Sequence, residues 1–350
     1  ANNIGLNMEL DAILGVALGG NSLGGGRFNL AGSIIGAYTI QAITTTMYNL
    51  GVSSAVTPVF KAVVVIVIVA ILVPQAGGGP QDGRKGGGSR MKTANAQRKQ
   101  MNGNTLLLLI TVVLFVVLYA GGCAVYSGKG FTNLQTFLNI LISNAGLICV
   151  ACGMTCVMLT GGIDISVGSL VALDCMLLAY GMGEWHMSAP VMCLIVLAVG
   201  LVFGIVQGFC VGYLEIQPFI VSMAGMFFAR GMTAVISTAQ LSITQEVNAT
   251  FYGWANWRLN LPFGGVPNRK GVLIMPYLRV GVLIALLVLV VIFLVLRYTK
   301  FGRSLYAVGG SEQSAAMMGL NVKQTKMKAY ILSSFLCSIG GICYCLNTQA

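Results

Sequence analysis

Two stretches of the chain are apolar almost without interruption: Thr105 to Tyr126, which carries no charge, and Leu278 to Leu296, which carries only Arg279. Each is about the 20 residues that a helix needs to cross the hydrocarbon core of a bilayer. Backbone groups in lipid must pair internally, so a spanning segment is a helix or a barrel strand. These runs lack the period-two alternation of barrel strands, and the pattern predicts helices. Further spans are predicted at 134 to 160, 167 to 183, 189 to 212, 217 to 237, 276 to 297 and 327 to 346. The N-terminal piece reads as a short apolar stretch from Leu10 to Leu18, a Gly-rich break from Gly19 to Arg27, and spans at 28 to 50 and 55 to 74. The fold class is all-α, a polytopic transmembrane bundle with short broken or re-entrant helices.

Composition and charge sharpen this picture. Hydrophobic residues make up 56% of the 350 and charged residues 8%, against roughly a quarter charged in a soluble domain. The 46 Gly suit close helix packing in lipid, where small residues let backbones approach. The ten Cys lie almost all in apolar spans, without the spacing of a zinc site or a disulfide framework, and read as small buried hydrophobes. A formal charge of +11 could suggest nucleic acid, but twelve of the twenty Lys and Arg sit in 75 to 104 and 297 to 328. Six predicted spans separate these stretches, which returns both to one side, as the positive-inside rule requires. The segment 238 to 275, with Trp254, Trp257, Pro262 and Pro267, is then external. Residues 75 to 104 contain AGGGPQDGRKGGGSR, Ala76 to Arg90, and read as a flexible, basic cytoplasmic linker. They divide the chain into 1 to 74, 75 to 104 and 105 to 350.

Three segments stand out as motifs. In LTGGIDISVGSLVAL, Leu159 to Leu173, Gly161 and Gly162 permit a sharp turn, and Asp164 or Ser166 can accept hydrogen bonds from amides freed at a helix N-terminus. TKFGRSLYAVGGSEQSAAMMGLNV, Thr299 to Val322, is a polar loop with a short helix-forming stretch between glycines and Ser311 as candidate cap. The third is ELDAILGVALGGNSLGGGRF, Glu9 to Phe28.

Together these motifs resemble the membrane permease subunits of bacterial ABC importers for monosaccharides: ribose, galactose, xylose and galactofuranose. The resemblance covers nearly all of the chain except the linker. It is nearest to the galactofuranose permease pair, through GGGRFNLAGSIIGAYTIQ and PVFKAVVV at one end and MAGMFFARGMTAVIS with NTQA at the other. It implies a multi-pass protein of the bacterial inner membrane that forms a sugar path and is not an enzyme alone. It also implies a separate cytoplasmic ATPase subunit that uses ATP and Mg, an extracytoplasmic sugar-binding protein and a second permease. In that family the second motif supplies a coupling helix for the ATPase. The residues so implied are Gly302, Gly309, Gly310, Ser311, Glu312, Ala315, Ala316 and Gly319. Segment order departs from the family, where the ELDAI segment comes last. The favoured account is an internal fragment of a fused tandem, with 1 to 74 resembling the end of one permease and the rest the start and middle of another. A circularly permuted single permease is the alternative.

Candidate path residues are Asn139, Asn144, Asp164, Ser166, Asp174 and Arg230. Each also has a structural reading: a turn brace for Asp164 and Ser166, an ion pair or snorkelling for Asp174 and Arg230, and interhelical bonding for the asparagines. Asn139 and Asn144 are five apart, so only one is expected to face the path. His186 is the sole histidine, and no triad, paired carboxylates, metal cluster or GxxxxGK[ST] loop accompanies it. The chain is therefore expected to hold no cofactor, metal or ATP itself. The rival reading is a secondary transporter driven by protons or sodium, which would also use broken helices and embedded acids.

Overall fold

The computed structural model describes residues 8–18, 30–49, 103–125, 133–239, 241–267 and 273–349. Its long elements are α1 (Met8–Leu18), α2 (Leu30–Asn49), α3 (Gly103–Val125), α4 (Leu134–Leu159), α5 (Val167–Gly183), α6 (Ala189–Gly212), α7 (Pro218–Ile236), α9 (Val280–Tyr298) and α12 (Val322–Thr348). Between α7 and α9 lie the short helix α8 (Ala249–Asn256) and two small antiparallel ribbons. Between α9 and α12 lie α10 (Lys300–Gly310) and α11 (Glu312–Met317). Helices α4, α6, α7, α9 and α12 are long and apolar enough to cross a membrane. Helix α5 is shorter, at 17 residues, and nearly all of it is buried.

Helix α12 is the axis of the bundle, packed against α4, α5, α6 and α9. Small residues explain how it takes so many neighbours. Along α6, Gly200, Gly204, Gly208 and Gly212 recur every fourth position and so share one face. A Cβ on Gly204 would stand 2.8 Å from Ile331 Cα, on Gly208 2.7 Å from the Met327 carbonyl oxygen, and on Gly212 2.6 Å from that of Lys323. Helix α4 does the same through Gly146 against Gly340 and Gly153 against Ser333. These pairings run in opposite chain directions, so α4 and α6 are antiparallel to α12. Helix α5 is parallel to it, since Ile163 lies at Tyr330 and Asp174 at Gly341.

This alternation gives the bundle two ends. One carries the α6–α7 turn, α10, α11 and the start of α12, with Arg297, Lys300, Arg303, Lys323, Lys326 and Lys328 among its residues. At the other end Asn248 bonds to the Met187 carbonyl, the Ile243 amide to Gln349 and the Tyr277 amide to Gln135. Helices α1 and α2 pack on each other and on α4. Their Met8, Ala12, Val16 and Ala37 share one core with Val150, Met154, Cys337 and Leu346.

The predicted spans agree with the helices to within a few residues, except that α12 begins at Val322 rather than 327 and α9 at Val280, after a strand (Tyr277–Arg279). Residues 299 to 322 are a helix–turn–helix rather than a loop. Gly302 lies inside α10, where a Cβ would collide with the Leu296 carbonyl, and Gly309 and Gly310 close that helix. Of the glycines in this segment, only Gly319 is left-handed, at φ +81°. The Gly19 to Arg27 break, the span at 55 to 74 and most of the linker lie outside the described residues.

Candidate functional site

The connection between α4 and α5 lies within the bundle rather than at its end. Ile163 accepts a hydrogen bond from the Tyr330 hydroxyl at 3.4 Å. Tyr330 is eight residues past Val322, roughly 12 Å along α12 from its start. Helix α4 stops because Gly161 turns left-handed at φ +76°. Gly162 then passes under Tyr330 so closely that a Cβ would come within 2.8 Å of its hydroxyl.

Polar groups freed by this break form a directed chain. Asp164 Oδ1 accepts from the Ser166 amide at 3.0 Å and from the Ser166 hydroxyl at 2.5 Å. Ser166 Oγ in turn accepts from Gln207 Nε2 of α6 at 2.9 Å. All three residues are buried. Asp164 Oδ2 and Gln207 Oε1, at the two ends of the chain, have no hydrogen-bond partner. The Oγ atoms of Ser169, Ser333, Ser334 and Ser338 and Thr155 Oγ1 are likewise buried without partners. Such a seam is costly in a bilayer unless something fills it, since an unmet buried polar group costs about 1–3 kcal/mol.

Of the six predicted path residues, the structure brings only Asp164 and Ser166 together. Asp174 lies further along α5 against Gly341 and Ser338, and neither carboxylate oxygen makes an aligned hydrogen bond. Asn144 is buried and donates to the Ile140 carbonyl of its own helix at 3.0 Å. Asn139 is exposed and accepts from Gln135 Nε2 at 2.7 Å. Arg230 is half-buried on α7 and has no ion pair among the described residues. Gln207 was not among the sequence candidates. The signal for it was an uncharged amide, in GIVQGF, inside an otherwise apolar span. Among the described residues no group of three or more His, Cys, Asp or Glu is placed to hold a metal.

The second polar region is the α10–α11 unit at the cationic end. Ser311 caps α11, its Oγ accepting from the Ser314 amide at 3.2 Å. Glu312 pairs with Lys326 of α12 at 2.6 Å, which fastens α11 to the central helix. Asn321 caps α12 through the Gln324 amide. Ala315 and Ala316 are separated by this arrangement: Ala315 is fully buried, whereas Ala316 is exposed beside Met317 at 86% and Met318 at 68%. Nearby, Lys323 binds Glu215 of the α6–α7 turn at 2.8 Å and holds that carboxyl below its ordinary range, with Lys326 adding to the effect.

Residues 136–350 match the family described as branched-chain amino acid transport system / permease component. The chain belongs to that family. It is 35% identical over 221 residues to the inner membrane ABC transporter permease protein YjfF of Escherichia coli (strain K12), covering 63% of this chain and 62% of that protein. It is 34% identical over 233 residues to the fructose import permease protein FruG of Bifidobacterium longum (strain NCC 2705), covering 67% and 65%. To the galactofuranose transporter permease protein YtfT of Escherichia coli (strain K12) it is 31% identical over 205 residues, covering 59% and 54%. The chain thus spans less than two thirds of the length of these relatives. No solved structure matches it. The matched region contains the α4–α5 break, the α10–α11 unit and α12.

Proposed function

We propose that the chain is permease machinery of an ATP-driven monosaccharide importer in a bacterial inner membrane, with its path beside the α4–α5 break and its ATPase docked at α10–α11. The observation that carries this reading is the α11 unit, a capped short helix at the cationic end that is fastened to the central helix by Glu312–Lys326 and presents Ala316, Met317 and Met318 outward. Apolar side chains exposed on a polar, charged end suit a protein partner better than water. By the positive-inside rule that end is cytoplasmic, where a nucleotide-hydrolysing subunit resides. ATP and Mg belong to that subunit. The remaining partners are an extracytoplasmic sugar-binding protein and a second permease.

Sugar identity is a finer proposal. Fructose and galactofuranose permeases stand at 34% and 31% identity, too close to separate the two, and galactofuranose rests on the motif likeness described above. Residues 1 to 74 we read as the C-terminal part of a permease. The burial of α1 and α2 in the same core as α4 and α12 supports their completing this bundle.

Reconstitution into proteoliposomes with the ATPase subunit and binding protein tests the reading. Sugar uptake is expected only with ATP on the ATPase side and is abolished by vanadate. Uptake driven by a proton or sodium gradient without ATP would establish the secondary-transporter reading instead.

A further inference from the structure

We propose that Gln207 is a further substrate-contacting residue, which with Asp164 supplies the two hydrogen-bond acceptors that hold a hydroxylated solute at the α4–α5 break. The proposal rests on the permease reading above and names a residue that neither the motifs nor the family match singles out.

The direction of the chain Gln207, Ser166, Asp164 is what makes it specific. Gln207 Nε2 donates to Ser166 Oγ, and Ser166 Oγ donates to Asp164 Oδ1, so the Ser166 hydroxyl is used once as acceptor and once as donor. What remains at the two ends is one acceptor each, Gln207 Oε1 and Asp164 Oδ2, both buried and both empty-handed. A pair of acceptors calls for donors, and sugar hydroxyls are donors that also need no counter-charge. A site of this kind discriminates strongly against an analogue lacking the hydroxyl, because the buried acceptor is then left unmet.

Helix α7 covers the pair on one side. Gly225 is seated so tightly over the Gln207 amide that a Cβ there would collide with Nε2, and it would also reach Phe203 Cζ at 3.0 Å and Ser166 Cβ at 3.3 Å. Beside this contact lies an apolar cleft of about 770 Å³ lined by Val206, Ile220, Ala224 and Phe228 together with Gln207 and Gly225 themselves. Of α4, α6, α7, α9 and α12, helix α7 is also the least buried. Helix α7 thus covers Gln207 and Ser166 together at Gly225, whereas α6 is held on its other face by α12.

The test uses the reconstituted full complex and whichever of D-ribose, D-fructose and D-galactose the parent protein transports fastest, with the monodeoxy analogues of that sugar. The parent is expected to reject at least one analogue. In Gln207→Leu that rejection should fall at least tenfold, with membrane level and ATPase co-purification unchanged, and Gln207→Asn should show the same change in smaller degree. Equal slowing of the sugar and all analogues, or unchanged selectivity, would overturn the proposal. So would failure of both variants to insert, which would make Gln207 a packing residue. Transport of none of the three sugars by the parent protein would instead sink the sugar-permease reading itself.

Discussion

Helix α6 has two faces that behave as opposites. The face carrying Gly200, Gly204, Gly208 and Gly212 is pressed onto the α12 backbone, with no room for a methyl group. The face carrying Val202, Val206 and Phe209 is exposed or borders the cleft toward α7. One helix is thus welded to the central axis on one side and open on the other. Helix α12 begins directly after the α11 unit, so the glycine face of α6 and the α11 unit share one central helix, whereas α7 packs chiefly on α5. The polar chain through Gln207 sits at the boundary between the two faces.

The largest effect is expected on the closed face. Gly208→Leu places a side chain where a single Cβ already approaches the Met327 carbonyl oxygen at 2.7 Å. Backbone cannot yield as a side-chain tip does, so the cost should reach or exceed the roughly 1–3 kcal/mol typical of overpacking. Loss of membrane accumulation and a lower melting temperature in detergent are the expected readouts. Val206→Ala on the open face should stay within about 0.5 kcal/mol, as substitutions away from a packed core do. Equal damage from both would erase the distinction between the faces.

How far this was legible in the sequence differs by region. Apolar runs located α3 to α7, α9 and α12, because span length and lack of charge are properties of consecutive residues. The Ser311 cap and the Gly161 turn were also visible, since capping and left-handed turns depend on local residue type. Two things were hidden. The sequence puts Gly302, Gly309 and Gly310 in a polar loop with a coupling role implied by the resemblance, and does not show that Gly302 packs against the Leu296 carbonyl within α10. Gln207 passed unnoticed because its partner, Ser166, lies 41 positions away and only tertiary packing joins them. For the same reason the six predicted path residues could not be sorted. Asp164 and Ser166 adjoin in the chain, but the inward direction of Asn144 and the exposure of Asn139 follow from how α4 is rotated in the bundle.

A smaller effect is expected where α6 ends. Glu215 and Lys323 pair across exposed surface, with Glu215 in a left-handed conformation at φ +55°. The carboxyl is held below its ordinary range, so whatever the pair contributes is present at neutral pH and is lost as pH falls through the lowered value. Glu215→Gln should leave the melting temperature at pH 7 nearly unchanged, as solvated ion pairs usually do. Any difference from the parent should disappear on acidification. A large drop at pH 7 would show that the α6–α7 turn, rather than the glycine face, holds α6 in place.

In the proposed function α11 is the surface gripped by an ATPase. Ala316 is exposed on that helix, whereas Ala315 is buried, so a bulky group at 316 alters the docking surface without disturbing the core. The direct measurement is purification of Ala316→Trp with its ATPase subunit, quantified against the parent complex at matched membrane levels. The variant is expected to reach the membrane in normal amount, to lose the ATPase subunit on purification and to take up no sugar. A variant that retains both the subunit and normal uptake would contradict the proposed docking, and α10–α11 would be no more than a connector between α9 and α12.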